Sequence, residues 1–241
     1  MRALVMAGGE GRRLLPLTLN LPKPLLRVGD MPILEYVLAH LQRHGVQHVT
    51  IAVAHLASTI EAYCGTGIRG LRISYLHEDI PLGTAGAIVL LKHYDEPFFM
   101  MNGDVLTDID LQAMKAEHMA RKALLTVATK LMYTDLTLGV LDVDTMGRVS
   151  AYREKPRLEH RVGLGIYIID PAVRRFMTPN QRIDMPDLIT RLIAAGEVVA
   201  SYDHKGLWTD IGTPGEYAKV DREWPGMGAP TASRGASEFV P

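Results

Sequence analysis

The residues between positions 5 and 25 are the densest group of potential phosphate ligands in this 241-residue chain. An apolar run ends in Gly8-Gly9-Glu10-Gly11-Arg12-Arg13, and Lys23 follows between two prolines. Glycines let main-chain N–H groups approach phosphate oxygens, while arginine offers a planar fork and lysine a point charge. The pattern predicts a polyphosphate site formed by Met6, Ala7, Gly8, Gly9, Gly11, Arg12, Arg13 and Lys23.

Two common phosphate loops do not describe this segment. The P-loop pattern G-x-x-x-x-G-K-[ST] is absent from the sequence, which argues against a P-loop ATPase or GTPase. The dinucleotide pattern G-x-G-x-x-G begins at Gly9 and Gly11, but Leu14 stands where its third glycine belongs. Two alternatives remain open: a dinucleotide-dependent oxidoreductase, and a tight turn with a solvated basic patch.

Two aspartates are candidates for binding a metal ion. Asp104 follows a predicted strand in Asn102-Gly103-Asp104, and Asp210 lies in the segment Trp208-Thr209-Asp210-Ile211-Gly212. Transfer of a phosphoryl or nucleotidyl group between two anions requires cations, and hard carboxylate ligands suit Mg²⁺. The residues alone leave a second interpretation open, in which each aspartate caps the helix or turn that follows it.

The composition indicates an ordinary globular protein. Hydrophobic residues make up 47% and charged residues 22% of the chain, and the net charge is −1. This balance predicts no nucleic-acid partner and no membrane partner, and it leaves a homo-oligomer open. Because Cys64 is the only cysteine and no signal peptide or apolar span is recognised, we expect a cytoplasmic location.

The first half of the chain alternates predicted strands and helices, which is typical of a parallel sheet covered on both faces. Ligands collect at the carboxyl ends of such strands, so the glycine loop and Asp104 should line one crevice. The predicted strands of this half are Ala3–Met6, Val49–Ala54, Leu71–Leu76 and Phe98–Met101. The predicted helices are Ile33–His44, Leu56–Tyr63 and Ala85–His93.

The second half is richer in predicted strands. These are Leu124–Thr129, Leu138–Val143, Val149–Tyr152 and Leu164–Ile169, with a hairpin turn over Asp142–Gly147. Two helices are expected, one from Met185 or Pro186 to Ala195 and one from about Pro214 to Arg222. Residues 225–241 are rich in Gly, Ala, Pro and Ser and are predicted to be a flexible tail.

The segments Ala7-Gly8-Gly9-Glu10-Gly11-Arg12-Arg13-Leu14-x-Pro16-Leu17-Thr18 and Pro22-Lys23-Pro24-Leu25 resemble the signature of the sugar-1-phosphate nucleotidylyltransferases. The resemblance covers about residues 2 to 222 and is greatest to short mannose- or heptose-1-phosphate guanylyltransferases. It implies an α/β fold with a Rossmann-like mixed, mostly parallel sheet sandwiched by helices, the nucleotide-diphospho-sugar transferase fold, which is GT-A-like. One departure is Arg12, where the family usually has threonine.

The resemblance also implies roles for individual residues. Arg13 and Lys23 align with the family's phosphate-binding arginine and lysine, and Asp104 and Asp210 with its metal-bearing aspartates. Arg13, Lys23 and Asp104 would then be catalytic. Gly83 and Thr84 lie in a segment that resembles the base-reading loop, in a form more similar to guanylyl-transferring members.

The second half resembles the family's sugar-phosphate site. In Glu154-Lys155-Pro156 the lysine would hold the sugar phosphate and the glutamate would meet sugar hydroxyls. Gly139 matches a glycine that lies against the sugar. Gly163 stands where many relatives carry a small polar residue, so the identity of the acceptor sugar is the least transferable property.

These observations lead to one preferred hypothesis. It is a Mg²⁺-dependent transfer of a nucleotidyl group, with GTP preferred, to a hexose or heptose 1-phosphate, within one domain over residues 1–224. The nucleotide half covers about residues 1–110 and the sugar-phosphate half about 111–224. Two alternatives remain: the same reaction with dTTP, UTP, ATP or CTP and glucose 1-phosphate, and a non-catalytic regulatory subunit that binds nucleotide sugars.

Overall fold

The computed structural model describes residues 1–78 and 80–224. Its α-helices are α1 (Ile33–Arg43), α2 (Ala57–Cys64), α3 (Gly83–Leu90), α4 (Leu111–Arg121), α5 (Met185–Ala194) and α6 (Pro214–Glu223). Short 3₁₀ turns cover Arg12–Leu14, Lys23–Leu25 and Pro171–Phe176. The predicted flexible tail over 225–241 lies outside the described residues.

The strands fall between these helices along the chain. They are β1 (Arg2–Met6), β2 (Arg27–Val28), β3 (Met31–Pro32), β4 (His48–Val53), β5 (Gly67–Ile68), β6 (Leu71–His77), β7 (Phe98–Asn102), β8 (Val105–Thr107), β9 (Leu125–Asp135), β10 (Val140–Val143), β11 (Val149–Arg153), β12 (Arg157–Ile169), β13 (Val199–Asp203) and β14 (Trp208–Asp210).

The chain forms two compact units. The first comprises Met1–Pro81, Asn102–Thr107 and the chain from Thr209, and the second comprises Leu82–Met101 and Asp108–Trp208. The prediction of one domain with halves meeting near residue 110 stays a prediction.

The first unit contains a mainly parallel sheet. Strand β4 pairs in parallel with β1 on one side and with β6 on the other, and β5 adds an antiparallel edge to β6. The central residues of β1, Ala3, Leu4 and Val5, are fully buried. A strand buried on both faces needs such a continuous apolar run, and for that reason the run was recognisable in the sequence.

A hydrophobic cluster in the first unit joins the segment after the glycine loop to the last helix. Leu14, at the end of the first 3₁₀ turn, packs in one cluster with Ile211, Val220 and Trp224. The Trp224 ring meets the Tyr36 ring edge-on, with ring centres 5.9 Å apart. This packing fixes the chain that follows the glycine loop and the chain that follows Asp210.

The second unit contains a mixed sheet. Strand β12 pairs antiparallel with both β7 and β9, and β13 pairs in parallel with the other edge of β9. Strands β10 and β11 form a separate antiparallel ribbon, and its turn at Asp144–Gly147 lies within the predicted turn Asp142–Gly147. The predicted α/β fold with a mixed, mostly parallel sheet flanked by helices is confirmed.

Several element boundaries differ from the predicted ones. Helix α3 starts at Gly83 and ends at Leu90, three residues before the predicted end at His93. Strand β10 begins at Val140 and not at Leu138, and β12 begins at Arg157, well before the predicted Leu164. The first part of β12 carries exposed polar residues in place of an apolar run, so the hydrophobic pattern did not reveal it.

Within the described residues, no helix combines the length and the apolar character needed to cross a membrane.

A buried histidine lies in the second unit. His118 of α4 is 2% exposed, and its Nδ1 lies 2.8 Å from the Thr126 hydroxyl oxygen on β9. Burial lowers the pKa of His118, against an opposing effect of the Asp170 carboxylate. The folded protein therefore takes up a proton at this ring less readily than the unfolded chain does.

We expect the free energy of unfolding to fall as the pH is lowered through the ordinary histidine range, because the unfolded state then binds a proton that the folded state does not. Above that range the contribution of His118 is fully present. Chemical denaturation should show that the free energy of unfolding falls less between pH 7.5 and pH 5 for His118→Gln than for the unaltered protein. Replacing the exposed His160 by Gln is the matched control. If the free energy of unfolding depended on pH equally in all three proteins, the lowered pKa of His118 would be contradicted.

Candidate nucleotide and metal site

The glycine loop begins where β1 ends. The Ala7 amide donates to the Ala52 carbonyl oxygen of β4 at 2.9 Å, which continues the strand pairing into the loop. A Cβ on Gly8 would lie 3.2 Å from the Ala54 Cβ, so the loop passes close against the end of β4. On the other side the Gly103 amide donates to the Met6 carbonyl oxygen at 2.8 Å. That bond holds the residue before Asp104 against the start of the loop.

The loop turns sharply at Gly11 and is closed by Thr18. Gly11 has a φ of +63°, and a Cβ there would lie 2.9 Å from the Thr18 Cγ2. Its carbonyl oxygen accepts bonds from the Leu14 amide at 2.8 Å and from the Thr18 hydroxyl at 2.9 Å. Both the left-handed conformation and the contact exclude a side chain at this position, which explains the glycine.

The two arginines of the loop have different surroundings. The exposed Arg12 guanidinium pairs with the Glu10 carboxylate, and this pair lowers the pKa of Glu10. Within the described residues Arg13 forms no salt bridge, although its charge lowers the pKa of Asp210. Its guanidinium lies against Gly212, where a Cβ would come within 3.2 Å of Nη1. Arg13 is therefore the cation of this loop that is available to a phosphate group.

Lys23 is held differently from both arginines. Its side chain is only 10% exposed, and its ammonium contacts the carboxylates of both Asp104 and Asp210. The distance from Nζ to Asp210 Oδ1 is 3.4 Å. These three residues come from distant parts of the sequence, so the fold alone brings them together.

The two carboxylates fit a divalent cation. Asp104 Oδ1 is buried and has no hydrogen-bond partner in the described part of the chain, which leaves one hard oxygen unused beside the cluster. Burial raises the pKa of Asp210, the nearby Asp104 charge adds to this rise, and the charges of Lys23 and Arg13 oppose it. No group of three or more His, Cys, Asp or Glu side chains with metal-binding geometry occurs among residues 1–78 and 80–224. Mg²⁺ typically takes one or two carboxylates and completes its shell with water and substrate phosphates.

The turn after Asp210 is fixed by Glu216. The Glu216 Oε2 accepts a hydrogen bond from the Gly212 amide at 2.9 Å and another from the Thr213 hydroxyl at 3.0 Å. Thr213 caps α6 through a 3.3 Å bond from the Glu216 amide to its hydroxyl. The alternative in which Asp210 serves as the cap of α6 is therefore not what the structure shows, because Thr213 occupies that position.

The glycine loop, Arg13, Lys23 and Asp104 line one open cleft with a volume of about 280 Å³ in the first unit. The strand order predicted such a crevice for the glycine loop and Asp104. The lining residues are Met6, Ala7, Gly9, Gly11, Arg12, Arg13, Leu14, Lys23, Pro24, Asp104 and Gly212.

The segment expected to read the base lies in the second unit, at the start of α3. The Thr84 amide donates to Asp184 Oδ1 at 2.9 Å, and the Thr84 hydroxyl accepts a bond from the Met185 amide at 2.8 Å. The Ala85 amide donates to the Ile183 carbonyl oxygen at 3.1 Å. A Cβ on Gly83 would lie 2.6 Å from the same oxygen, so glycine is required for this close approach. A role of Gly83 and Thr84 in binding the base stays a prediction.

Three of the expected sugar-phosphate residues lie near the ribbon of β10 and β11. A Cβ on Gly139 would lie 2.2 Å from the Tyr152 hydroxyl oxygen, and that hydroxyl donates to the Glu154 carboxylate. Lys155 has a positive φ of 42°, and its ammonium is exposed and 3.9 Å from Glu154 Oε1. An exposed lysine with one loosely held partner can turn toward an anionic ligand.

The fourth expected residue lies in a strand. Gly163 belongs to β12 and pairs with Thr129 of β9. A Cβ added there would be in ordinary contact with Val127 at 3.5 Å, so the space around Gly163 does not demand glycine.

The sequence prediction of the site missed three residues that the structure places in it. They are Thr18, which closes the glycine loop, Gly212, which lies against Arg13, and Glu216, which holds the turn after Asp210. The pattern Thr-x-x-Glu at Thr213–Glu216 is a capping signature that was visible in the sequence. Its contact with Gly212 depends on the fold and was not visible.

Comparison with known proteins places this geometry in a family. A Synechocystis protein named UTP–glucose-1-phosphate uridylyltransferase is 31% identical over 92% of this chain. The match covers 63% of that relative's length. An Aneurinibacillus thermoaerophilus protein named D-glycero-alpha-D-manno-heptose 1-phosphate guanylyltransferase is 30% identical, covering 92% of this chain and 98% of the relative.

A solved structure shows the same fold. The crystal structure of HddC from Yersinia pseudotuberculosis complexed with GMP-PN has a TM-score of 0.71 and 23% identity, with 92% of this chain and 99% of that chain covered. The sequence profile described as "Nucleotidyl transferase" matches residues 2–225 of this chain. Together with the two relatives, which are 31% and 30% identical, this match shows that the chain belongs to the nucleotidyl transferase family.

Proposed function

We propose that the protein transfers a nucleotidyl group from a nucleoside triphosphate to a sugar 1-phosphate, giving a nucleoside-diphosphate sugar and pyrophosphate. The observation that carries the proposal is the cleft at the end of β1, which is lined by Arg13, Lys23 and Asp104. The Lys23 ammonium of this cleft also contacts Asp210. Substrates in this family are a nucleoside triphosphate and a sugar phosphate, and its members generally use a divalent metal ion.

The chemistry requires positioning and neutralisation of charge. An oxygen of the sugar phosphate attacks the α-phosphorus in line, the bond from that phosphorus to the bridging oxygen breaks, and pyrophosphate leaves with the bonding electron pair. Both reactants are anions, so their mutual repulsion must be offset. Arg13, which forms no salt bridge among the described residues, and the loop amides are suited to the phosphates of the nucleotide.

We propose Mg²⁺ as the metal ion, held by Asp104 and Asp210. Asp104 Oδ1, which is buried and unpaired in the described part of the chain, and the half-exposed Asp210 supply hard oxygens. When bound, the ion would neutralise phosphate charge and orient the phosphate oxygens. Lys23 adds a further positive charge to the cleft.

GTP is the preferred nucleotide of the proposal, and a hexose or heptose 1-phosphate the preferred acceptor. The Gly83-Thr84-Ala85-Gly86 form of the α3 start and the guanylyl-transferring relative support it. The uridylyl-transferring relative supports the alternative of UTP with glucose 1-phosphate. Glu154 and Lys155, with Gly139 and Gly163, are the proposed sugar-phosphate residues. We further propose one domain over 1–224 and a cytoplasmic location.

The reaction is tested by supplying each nucleoside triphosphate with a panel of sugar 1-phosphates and Mg²⁺ and measuring pyrophosphate. We expect release with at least one pair, fastest with GTP, and loss of about 100-fold or more in kcat for Asp104→Asn, since a group that offsets charge is removed. The matched control is Glu223→Gln, which alters an exposed carboxylate of α6. Asp221 of the same helix is less suitable, because its carboxylate accepts a hydrogen bond from the Gly29 amide. Tight nucleotide binding with no turnover on any pair would favour the regulatory alternative.

Lys155→Ala should raise KM for the sugar 1-phosphate by about tenfold or more while KM for the nucleotide stays near its original value, because only one phosphate loses its cation. Steady-state kinetics with each substrate varied in turn measures both constants. Lys122→Ala, on an exposed lysine that also has a positive φ, controls for removing charge and backbone strain together. An equal rise in both KM values would contradict the assignment.

Glu216→Ala should lower activity without a matching loss of stability, because the Gly212 turn that supports Arg13 loses its acceptor. Glu216→Gln keeps an oxygen that can accept both bonds, and it should restore most of kcat. Kinetics and thermal unfolding of the two variants are compared with those of Glu223→Ala. If Gln were as damaging as Ala, the negative charge and not the hydrogen bonds would be the contribution of Glu216.

A further inference from the structure

The Lys23 ammonium occupies the space between the two aspartates that the metal ion would use. It contacts Asp104 Oδ2 and lies 3.4 Å from Asp210 Oδ1, and its side chain is nine-tenths buried. Lys23 is thus the one cation among the described residues that contacts both carboxylates, and the Arg13 charge acts on Asp210 from farther away. Asp104 Oδ1 is left buried without a hydrogen-bond partner in the described residues. The lysine satisfies this pair of aspartates only in part.

A divalent ion would satisfy the same pair more completely. It brings two positive charges and accepts an oxygen such as Asp104 Oδ1 as a ligand, whereas an ammonium offers single N–H donors. The ion and the ammonium would repel each other at so short a distance, so both cannot hold the two carboxylates as closely as Lys23 does now. Binding of the ion therefore requires Lys23 to change partners.

The backbone around Lys23 favours a movement of the side chain alone. Lys23 lies in a 3₁₀ turn between Pro22, which has a φ of −65°, and Pro24, and both rings restrict the main chain. The Lys23 Cβ lies 3.3 Å from the position of a Cβ on Gly11, so the stem of the side chain starts beneath the glycine loop. The same cleft is lined by Arg13 and by the loop. A phosphate bound there would be a new partner within the cleft.

We propose that Lys23 is a placeholder cation: it holds Asp104 and Asp210 in the nucleotide-free protein, and it moves to a substrate phosphate when the divalent ion takes the carboxylates. The inference rests on the proposed function, because it takes these aspartates as the metal ligands. It assigns Lys23 a second role besides neutralising phosphate.

One consequence concerns the order of binding. While Lys23 holds the carboxylates, only a fraction of the protein is competent to bind the ion, so the apparent affinity is reduced by that fraction. A nucleotide that attracts the ammonium increases the competent fraction. Metal and nucleotide therefore favour each other's binding, and this coupling is reciprocal.

The test uses the nucleotide-free full chain and Mn²⁺ as the probe, with free Mn²⁺ measured by electron paramagnetic resonance. Lys23→Met removes the charge and keeps an unbranched side chain, and we expect it to bind Mn²⁺ about tenfold more tightly than the unaltered protein. Lys219→Met removes an exposed lysine of α6 and should leave Mn²⁺ affinity unchanged. Adding Asp104→Asn to Lys23→Met should abolish the tight binding.

The outcomes separate the two proposals. Equal or weaker Mn²⁺ binding by Lys23→Met, still lost with Asp104→Asn, would overturn the placeholder role and leave the metal site standing. Mn²⁺ binding that is insensitive to Asp104→Asn would overturn both. If Lys23→Met does not fold, the unaltered protein can be measured by NMR with ¹⁵N-labelled lysine. The Lys23 ammonium signal is identified as the one that is lost in Lys23→Arg, and we expect it to change on addition of Mg²⁺. An unchanged signal at saturating Mg²⁺ would overturn the placeholder role.

Discussion

The central constraint on this protein is the cost of concentrating charge in one cleft. In the first unit the nearly buried ammonium of Lys23 contacts two partly buried carboxylates, and the anions of the proposed reaction must approach the same place. Charges removed from water are stable only when each has a close partner. The lysine between Asp104 and Asp210 supplies that partner. A divalent cation, which carries twice the charge, can displace the lysine from the two carboxylates.

The surrounding elements hold this cluster in position. Asp104 lies two residues after the end of β7, and the Gly103 amide ties this segment to the start of the glycine loop. Asp210 ends β14, which pairs with β8 in a short two-stranded sheet, and Glu216 holds the turn beyond it. Arg13 lies against that same turn at Gly212. A substitution that breaks any of these contacts would therefore shift the charged side chains, even where the substituted residue does not contact a phosphate.

The sequence predicted the parts of this site that depend on local pattern. The apolar run of β1, the glycines of the loop and the strand before Asp104 were recognisable because burial and sharp turns restrict residue types. The contact of Lys23 with both aspartates was not predictable, since it joins positions that are far apart in the chain. The same holds for Glu216, whose capping pattern is local but whose bond to Gly212 depends on how α6 packs. The polar start of β12 was missed because it lacks an apolar period.

The most direct test of the account is a crystal structure with Mn²⁺ and a non-hydrolysable nucleoside triphosphate, in which anomalous scattering locates the ion. The account predicts Mn²⁺ bound by the carboxylates of Asp104 and Asp210, with the Lys23 ammonium moved onto a phosphate oxygen. Mn²⁺ found elsewhere, with Lys23 still between the two aspartates, would contradict it.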